Sequence, residues 1–161
     1  MTANIVASRR IDGDTYEIDT DPDRLDIPLI HDFLANHSYW ARGIELDTVR
    51  RSIEHSLGYG LYRGAMQIGF ARIVTDRATF AYLADVFVVE SARNAGLGQW
   101  LIETILANPE LQGLKRWLLV TTRAESLYRR CGFTELRAGL RYLERFDPDA
   151  YNSPVGRAVP D

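Results

Sequence analysis

The chain has 161 residues, 46% of them hydrophobic and 25% charged, and its formal net charge at pH 7 is −3. These values are typical of one globular domain with a single core. The weak negative charge argues against nucleic acid or an anionic membrane as the main partner, because both attract a basic surface. The single cysteine, Cys131, allows no internal disulfide, and we find no apolar run as long as a signal-peptide core or a membrane span. We therefore expect a cytoplasmic protein.

The first half of the chain changes from a helical to a strand-like period near Leu57. Before that point apolar residues recur three or four positions apart, as in Leu46, Val49 and Ile53. After it they fall in alternating or continuous apolar runs, which favour strands, and a Gly64–Ala65 turn separates two of them. In chain order the pattern predicts a strand over 14–20, helices over 21–38 and 45–57, and strands over 58–63, 66–76 and 78–89.

The second half alternates helices with strands and ends in a tail rich in proline, aspartate and small residues. We interpret 1–146 as one domain and 147–161 as an extended or partly disordered tail. The element order predicts a mixed α/β layered sheet instead of a regular βαβ alternation. The elements predicted here are helices over 96–107 and 124–131 and strands over 115–122, 132–136 and 140–146.

The sequence RNAGLG, Arg93–Gly98, joins an apolar strand to a helix and contains two glycines. The first amides of a helix lack internal partners, and the helix dipole makes that end locally positive. Glycine lets the backbone approach a ligand closely, and Arg93 adds a positive charge. These properties suit a bound phosphate, although glycine also serves strand-to-helix turns for geometry alone. Neither the GxGxxG dinucleotide fingerprint nor the GxxxxGK[ST] phosphate loop is present.

A second motif, AESLYRRCGF, spans Ala124–Phe133. Gly132 suits the position just after a helix, and Phe133 suits the apolar residue that packs back on the last turn. Tyr128 is then either a core aromatic or a functional phenol.

The two motifs occur in the order found in the GNAT superfamily of N-acetyltransferases, which this chain resembles from Asp14 to about Phe146. DVFVVESARNAGLG contains a match to the family signature [RQ]xxGx[GA], and AESLYRRCGF matches the family pattern A-x-x-LY-x-x-x-GF. The resemblance implies an α/β (α+β) fold. It consists of a mixed, largely antiparallel sheet with a splayed pair of parallel strands and helices on both faces.

The resemblance also implies acetyl-CoA as the co-substrate. Main-chain groups of Val88 and Val89 would pair with its pantetheine arm, and Thr121 stands where many relatives carry an asparagine that contacts the same arm. By position in the signature, the backbone of six residues would bind the pyrophosphate: Arg93, Asn94, Ala95, Gly96, Leu97 and Gly98.

The resemblance further implies that Tyr128 lies near the thioester sulfur, which makes it a candidate general acid for the leaving thiolate. An alkylammonium has a pKa of about 10.4 and must lose a proton before it attacks, so a base is needed. Asp85, on the strand before the loop, is one candidate. The alternative is a carboxylate that orients the strand or holds loop groups. Direct attack needs no covalent enzyme intermediate, so we interpret Cys131 as structural; the alternative is a nucleophile in a ping-pong mechanism.

Acceptor contacts are expected from the segment HSYWARG, which in this family covers the acceptor site. It offers Tyr39, Trp40 and Arg42, and Tyr82 lies on the central strand. Packing of a helix corner is the alternative for the aromatic residues. The three histidines have no metal-site spacing, so no metal is expected.

The leading interpretation is an acetyl-CoA-dependent N-acetyltransferase that acts on the primary amine of a small molecule or peptide. The alternative is a non-catalytic acyl-CoA-binding sensor or interaction module, which would not need Tyr128. A nucleotide-binding domain fits the predicted strand order poorly. The edge strand and the tail leave a homodimer open.

Overall fold

The computed structural model describes residues 4–152, which form a six-stranded sheet in the order β1-β2-β3-β4-β5-β6. The first five strands are antiparallel to their neighbours, whereas β5 and β6 are parallel. The expected mixed, largely antiparallel sheet with one parallel pair is therefore confirmed. The strands are β1 Ile5–Ile11, β2 Asp14–Asp19, β3 Leu57–Arg63, β4 Met66–Thr75, β5 Phe80–Val88 and β6 Arg116–Leu118.

Helices cover both faces of the sheet, as expected. Successive strand residues point to opposite faces, so alternate residues of β4 contribute to two different cores. Phe70 joins the core that contains residues of α1 and α2, whereas Ala71 and Ile73 join the core built around α3, against which α4 also packs. None of the helices described is long and apolar enough for a membrane span. The helices are α1 Ile27–Asp32, α2 Leu46–Glu54, α3 Leu97–Leu106 and α4 Glu125–Arg130.

Strand β1 was not predicted, although its turn carries a clear signal. A two-residue loop, Asp12–Gly13, joins Ile11 to its cross-strand partner Asp14. Both loop residues have positive φ, 49° and 88°, as a type I′ hairpin requires. Asp-Gly is a preferred sequence for that turn. Strand β1 itself is mostly exposed, so its side chains show little of the alternation that marks a half-buried strand.

The first helix is shorter than predicted. Residues 22–24 form a separate 3₁₀ turn, and α1 begins at Ile27, where the side chain of Asp26 accepts a hydrogen bond from the Leu29 amide. A π-helical turn over Phe33–His37 continues it. The predicted helix over 21–38 is therefore wrong in its first part, because the Asp26 cap and Pro28 start the helix later.

The strands predicted over 132–136 and 140–146 are absent from the described structure. The Phe133 amide donates back to the Tyr128 carbonyl of α4, and Gly139 has φ 84°. The side chains of Leu143 and Phe146 are 93% and 74% exposed. Alternating residues form a strand only where a ladder partner is available, and this segment has none among the described residues. Of the predicted tail, 147–152 forms turns, and 153–161 lies outside the described residues.

Candidate functional site

Strand β5 carries a β-bulge at Asp85. Phe70 lies opposite Phe87 and Arg72 lies opposite Ala84, so β5 has one residue more than β4 between these pairs. Asp85 has φ 55°, a left-handed conformation that costs a residue with a side chain about 1–2 kcal/mol. A bulge bends and twists its strand. Consistent with this, the ladder between β5 and β6 ends at the pair Tyr82 and Leu118, and the residues that follow on the two segments are not paired with each other.

The main chain of Val88 faces the gap that opens between β5 and the segment after β6. The Val89 amide donates to the Ile68 carbonyl at 2.8 Å, so the pair Gly69 and Val88 is the kind that makes no mutual hydrogen bonds. The N–H and C=O of Val88 therefore point away from β4. Arg93 Nε donates to the Val88 carbonyl at 2.9 Å, which leaves the Val88 N–H directed into the gap.

The loop before α3 presents a set of backbone amides without assigned acceptors. Asn94 and Gly96 have φ 66° and 73°, and α3 begins at Leu97. Within residues 4–152, no acceptor is assigned to the amides of 94–99. The positive end of the helix dipole adds to these donors. The loop thus has the electrostatic character of an anion site.

Gly98 lies where α3, β5 and α4 meet. A Cβ placed on Gly98 would lie 3.8 Å from Val88 Cγ2 and 3.8 Å from Leu127 Cδ2, which is ordinary contact. Larger side chains would enter the space between these neighbours. Arg130 on α4 donates to Gln99 at 3.3 Å and brings a second guanidinium to the first turn of α3.

Helix α4 ends in a Schellman motif that positions Tyr128. The Phe133 amide donates to the Tyr128 carbonyl, the Gly132 amide donates to the Arg129 carbonyl, and Gly132 has φ 92°. The Phe133 ring packs edge-on against the Tyr128 ring, with centroids 6.0 Å apart. The predicted roles of Gly132 and Phe133 at the helix end are confirmed.

The loop between α1 and α2 bridges the gap. Tyr39 Oη accepts a hydrogen bond from the Thr122 amide at 3.0 Å, beyond β6, and Arg123 stacks on the Tyr39 ring at 4.8 Å. Trp40 Nε1 donates to Asp85 Oδ1 at 3.0 Å, on β5. The two aromatic rings are nearly perpendicular, with centroids 5.1 Å apart. One loop therefore contacts both diverging segments.

Asp85 also forms a largely buried ion pair. Arg72 Nε donates to Asp85 Oδ2 at 2.8 Å, and the two side chains are only 17% and 10% exposed. Each carboxylate oxygen thus has one assigned donor. A carboxylate has about four lone-pair sites, so Asp85 can accept further hydrogen bonds.

The tyrosines of the site differ in acidity. Burial raises the pKa of Tyr128 to about 12, with smaller contributions from Tyr39 and Cys131. Hydrogen bonds with Thr122 lower the pKa of Tyr39, and Arg123 adds to the effect. Burial, and then the Asp85 charge, raises the pKa of Tyr82. At neutral pH, Tyr128 is therefore a protonated phenol and a proton donor.

A family model described as the acetyltransferase (GNAT) domain matches residues 54–135. This span is half of the chain and contains the bulge, the amide-rich loop and α4. The chain belongs to the GNAT acetyltransferase family.

Relatives agree with the GNAT assignment. A structure from Xanthomonas campestris pv. campestris, described as belonging to this family, is 42% identical, covers 86% of this chain and 97% of that chain, and has a TM-score of 0.82. A Gibberella zeae protein provisionally named an acetyltransferase is 29% identical over 135 residues, which are 70% of this chain and 75% of that protein. A Clostridium acetobutylicum structure described with acetyl-CoA covers 80% of this chain and 94% of that chain, at 15% identity and a TM-score of 0.58, and is similar in fold.

Most of the predicted GNAT site residues lie around one gap. Tyr39 and Trp40 contact the segments on its two sides, and Asp85 and Val88 lie on β5. Tyr128 lies on α4, close enough to Tyr39 to be affected by its charge. Arg93, Asn94, Ala95 and Gly96 form the loop before α3, and Leu97 and Gly98 are the first two residues of that helix.

Three residues predicted to bind a ligand are either hydrogen-bonded within the protein or exposed without an assigned partner: Val89, Thr121 and Arg42. Both main-chain groups of Val89 are used within the chain, because its amide donates to Ile68 and its carbonyl accepts from Ala92. Thr121 Oγ1 accepts from the Ala124 amide at 3.1 Å and so supports the start of α4. Arg42 is exposed and has no assigned partner among residues 4–152.

Sequence reasoning missed three arginines of the site: Arg72, Arg123 and Arg130. Arg72 reaches its partner across two strands, Arg130 between two helices and Arg123 between two loops. These partners are distant in sequence, so no local pattern pairs them. The charge of Arg123, directly after the predicted strand end, was the one signal that could have been noted. The described residues contain no cluster of three or more side chains suited to a metal ion.

Proposed function

We propose that the protein is an N-acetyltransferase that transfers the acetyl group of acetyl-CoA to a primary amine by direct attack. One observation carries the proposal. The Val88 N–H faces the gap, and the Tyr128 phenol on α4 is close enough to Tyr39, in the loop that crosses the gap, to be affected by its charge. The amides of 94–99, which have no assigned acceptors, follow directly after β5. This arrangement supports the proposal, because acetyl transfer by direct attack needs a donor for a developing oxyanion, a proton for the leaving group and a site for phosphate.

The residues fit acetyl-CoA as co-substrate. The amides of 94–99 and the positive end of α3 suit the pyrophosphate, with Arg93 and Arg130 as nearby cations. The missing side chain at Gly98 leaves room for close approach of a ligand. Of the two predicted strand residues, Val88 is the better partner for the pantetheine arm, because the Val89 amide already donates to Ile68. When bound, acetyl-CoA supplies an acyl group on a thiol leaving group.

Two groups of the protein, the Val88 N–H and the Tyr128 hydroxyl, would then act on the bound acyl group and its leaving thiolate. The Val88 N–H donates to the carbonyl oxygen as negative charge grows on it. The new bond forms between the amine nitrogen and the acyl carbon, and the carbon–sulfur bond breaks. The Tyr128 hydroxyl gives its proton to the thiolate and regains one from solvent. The amine nitrogen gives up one proton to a base as the amide forms, so charge and protons balance without a covalent enzyme intermediate.

The amine proton leaves towards Asp85, which remains our proposed base. The contacts of its carboxylate with Arg72 and Trp40 equally support a role in positioning the amine and the bulge. Loss of a base lowers kcat, whereas loss of a positioning group mainly raises KM for the amine.

The test is thiol release from acetyl-CoA with a broad panel of primary amines. Turnover with at least one amine, reduced strongly in Tyr128→Phe, supports the enzyme. Tight CoA binding with no turnover, and equal CoA affinity in wild type and Tyr128→Phe, would favour the acyl-CoA-binding module instead.

A further inference from the structure

An apolar row crosses three strands on the face of the sheet that α1 and α2 share. Val74, Tyr82 and Leu118 are neighbours in register on β4, β5 and β6. Their neighbours Ile73, Leu83 and Trp117 pack in the α3 core, so the row itself points to the opposite face. Val120 lies two residues beyond Leu118. We call these four residues the apolar row.

The row is not covered by the helices on its own face. The core under α1 and α2 includes Phe70 and Phe87 but no member of the row. Val74 is 42% exposed and Val120 is 76% exposed, whereas Tyr82 and Leu118 are half-buried. Aligned apolar side chains that stay open next to a reactive centre are suited to a ligand.

The row is continuous with the site. Arg72 precedes Val74 by two residues on the same face of β4 and holds Asp85. Tyr82 precedes Asp85 by three residues, which corresponds to about 10 Å along a strand. Farther from the site, Arg116 stacks on Tyr142 at 5.8 Å and bounds the row. The row thus has the Asp85 carboxylate on one side and Arg116 on the other.

The chemistry of the row and of the neighbouring carboxylate selects among amines. The Asp85 carboxylate has spare lone pairs for an ammonium group. Among the four residues of the row, Tyr82 alone carries a polar side-chain atom. A sugar or a second ammonium group laid on the row would lose water without gaining partners, which is unfavourable. An aromatic or alkyl body would instead gain from burial.

We propose that the acceptor is a primary amine on an apolar body, with the ammonium at Asp85 and the body extending towards the apolar row. The inference rests on the proposed acetyl transfer and deepens it by naming the substrate class.

The experiment compares 2-phenylethylamine and hexylamine with ethanolamine, 1,4-diaminobutane and glucosamine in the thiol-release assay. We expect kcat/KM to be at least about tenfold higher for the two apolar amines, a factor that burial of a few methylene groups can supply. Equal or better use of the polar amines would overturn the inference and leave acetyl transfer standing. If no amine of the panel gives thiol release, both the proposed acetyl transfer and the inference are contradicted.

Variants of the exposed row residues complete the test. Val74→Asp and Val120→Asp change surface positions and should remain folded. We expect each to lower kcat/KM for the apolar amines about tenfold while leaving KM for acetyl-CoA unchanged. Met66→Asp is the matched control, because Met66 is 62% exposed on β4 outside the row. Unchanged amine selectivity, together with loss of a wild-type dimer on sedimentation, would make the row an interface between copies and overturn the inference.

Discussion

Replacing Tyr128 by phenylalanine removes the hydroxyl of the candidate acid and keeps the ring, so it tests catalysis with little effect on folding. The phenol has a pKa raised to about 12 by burial, so at pH 8 only about one molecule in ten thousand has lost the proton. Positioned general acids contribute about 10²–10⁴ in rate. Within residues 4–152, no hydrogen-bond partner is assigned to the hydroxyl, and the ring still packs on Phe133 in the variant. We therefore expect kcat to fall by about 10²–10⁴.

The assay is steady-state thiol release over a range of acetyl-CoA and amine concentrations, with thermal unfolding measured in parallel. We expect KM for acetyl-CoA to change little and the melting temperature to stay nearly constant. Because the pKa is raised, the proton remains available as the pH rises past 10 and is lost only near 12. The wild-type rate should therefore show no alkaline loss from this group between pH 8 and about pH 10. A variant that keeps more than about a third of wild-type kcat would refute Tyr128 as the acid.

Three further changes probe the loop, the thiol and the bulge. Gly96→Ala should lower the free energy of unfolding by about 1–2 kcal/mol in urea titrations, because φ at this position is 73°, and should also raise KM for acetyl-CoA; unchanged values of both would contradict the role of the loop. Cys131→Ala should keep most activity, because burial raises the pKa of the thiol and keeps it protonated at neutral pH; complete loss would point to a covalent step. Asp85→Asn suits the left-handed bulge, since asparagine tolerates that conformation, so it removes the charge with little change in backbone. If Asp85 is the base, kcat should fall about 10²–10⁴ and become strongly pH-dependent, whereas a positioning role predicts a higher KM for the amine with a smaller loss of kcat.

Local signals in the sequence were sufficient for the motifs of the site. The end of α4 follows directly from a glycine and an aromatic residue at fixed offsets, and both form the Schellman contacts around Tyr128. The loop before α3 follows from glycines between a strand and a helix. In each case the residues that decide the structure lie within a few positions of one another, so the local sequence is enough to predict it.

Contacts between distant residues could not be predicted in the same way. The pair Arg72 and Asp85 depends on the register of β4 with β5, including the bulge that turns Asp85 towards the arginine. Tyr39 and Thr122 are 83 positions apart and meet only after the sheet and the α1–α2 loop have formed. The wrong strand over 140–146 has the same origin, because its alternation carries no information about a pairing partner.

Acetyl transfer to an amine is tested most directly by mass balance. Wild-type protein is incubated with acetyl-CoA and 2-phenylethylamine, and free CoA and the acetylated amine are quantified together by mass spectrometry. The account predicts acetylated amine equal in amount to the CoA released, with both reduced together in Tyr128→Phe. Acetyl-CoA that is bound but recovered intact, or CoA released with acetate and no acetylated amine from any amine of the panel, would contradict it.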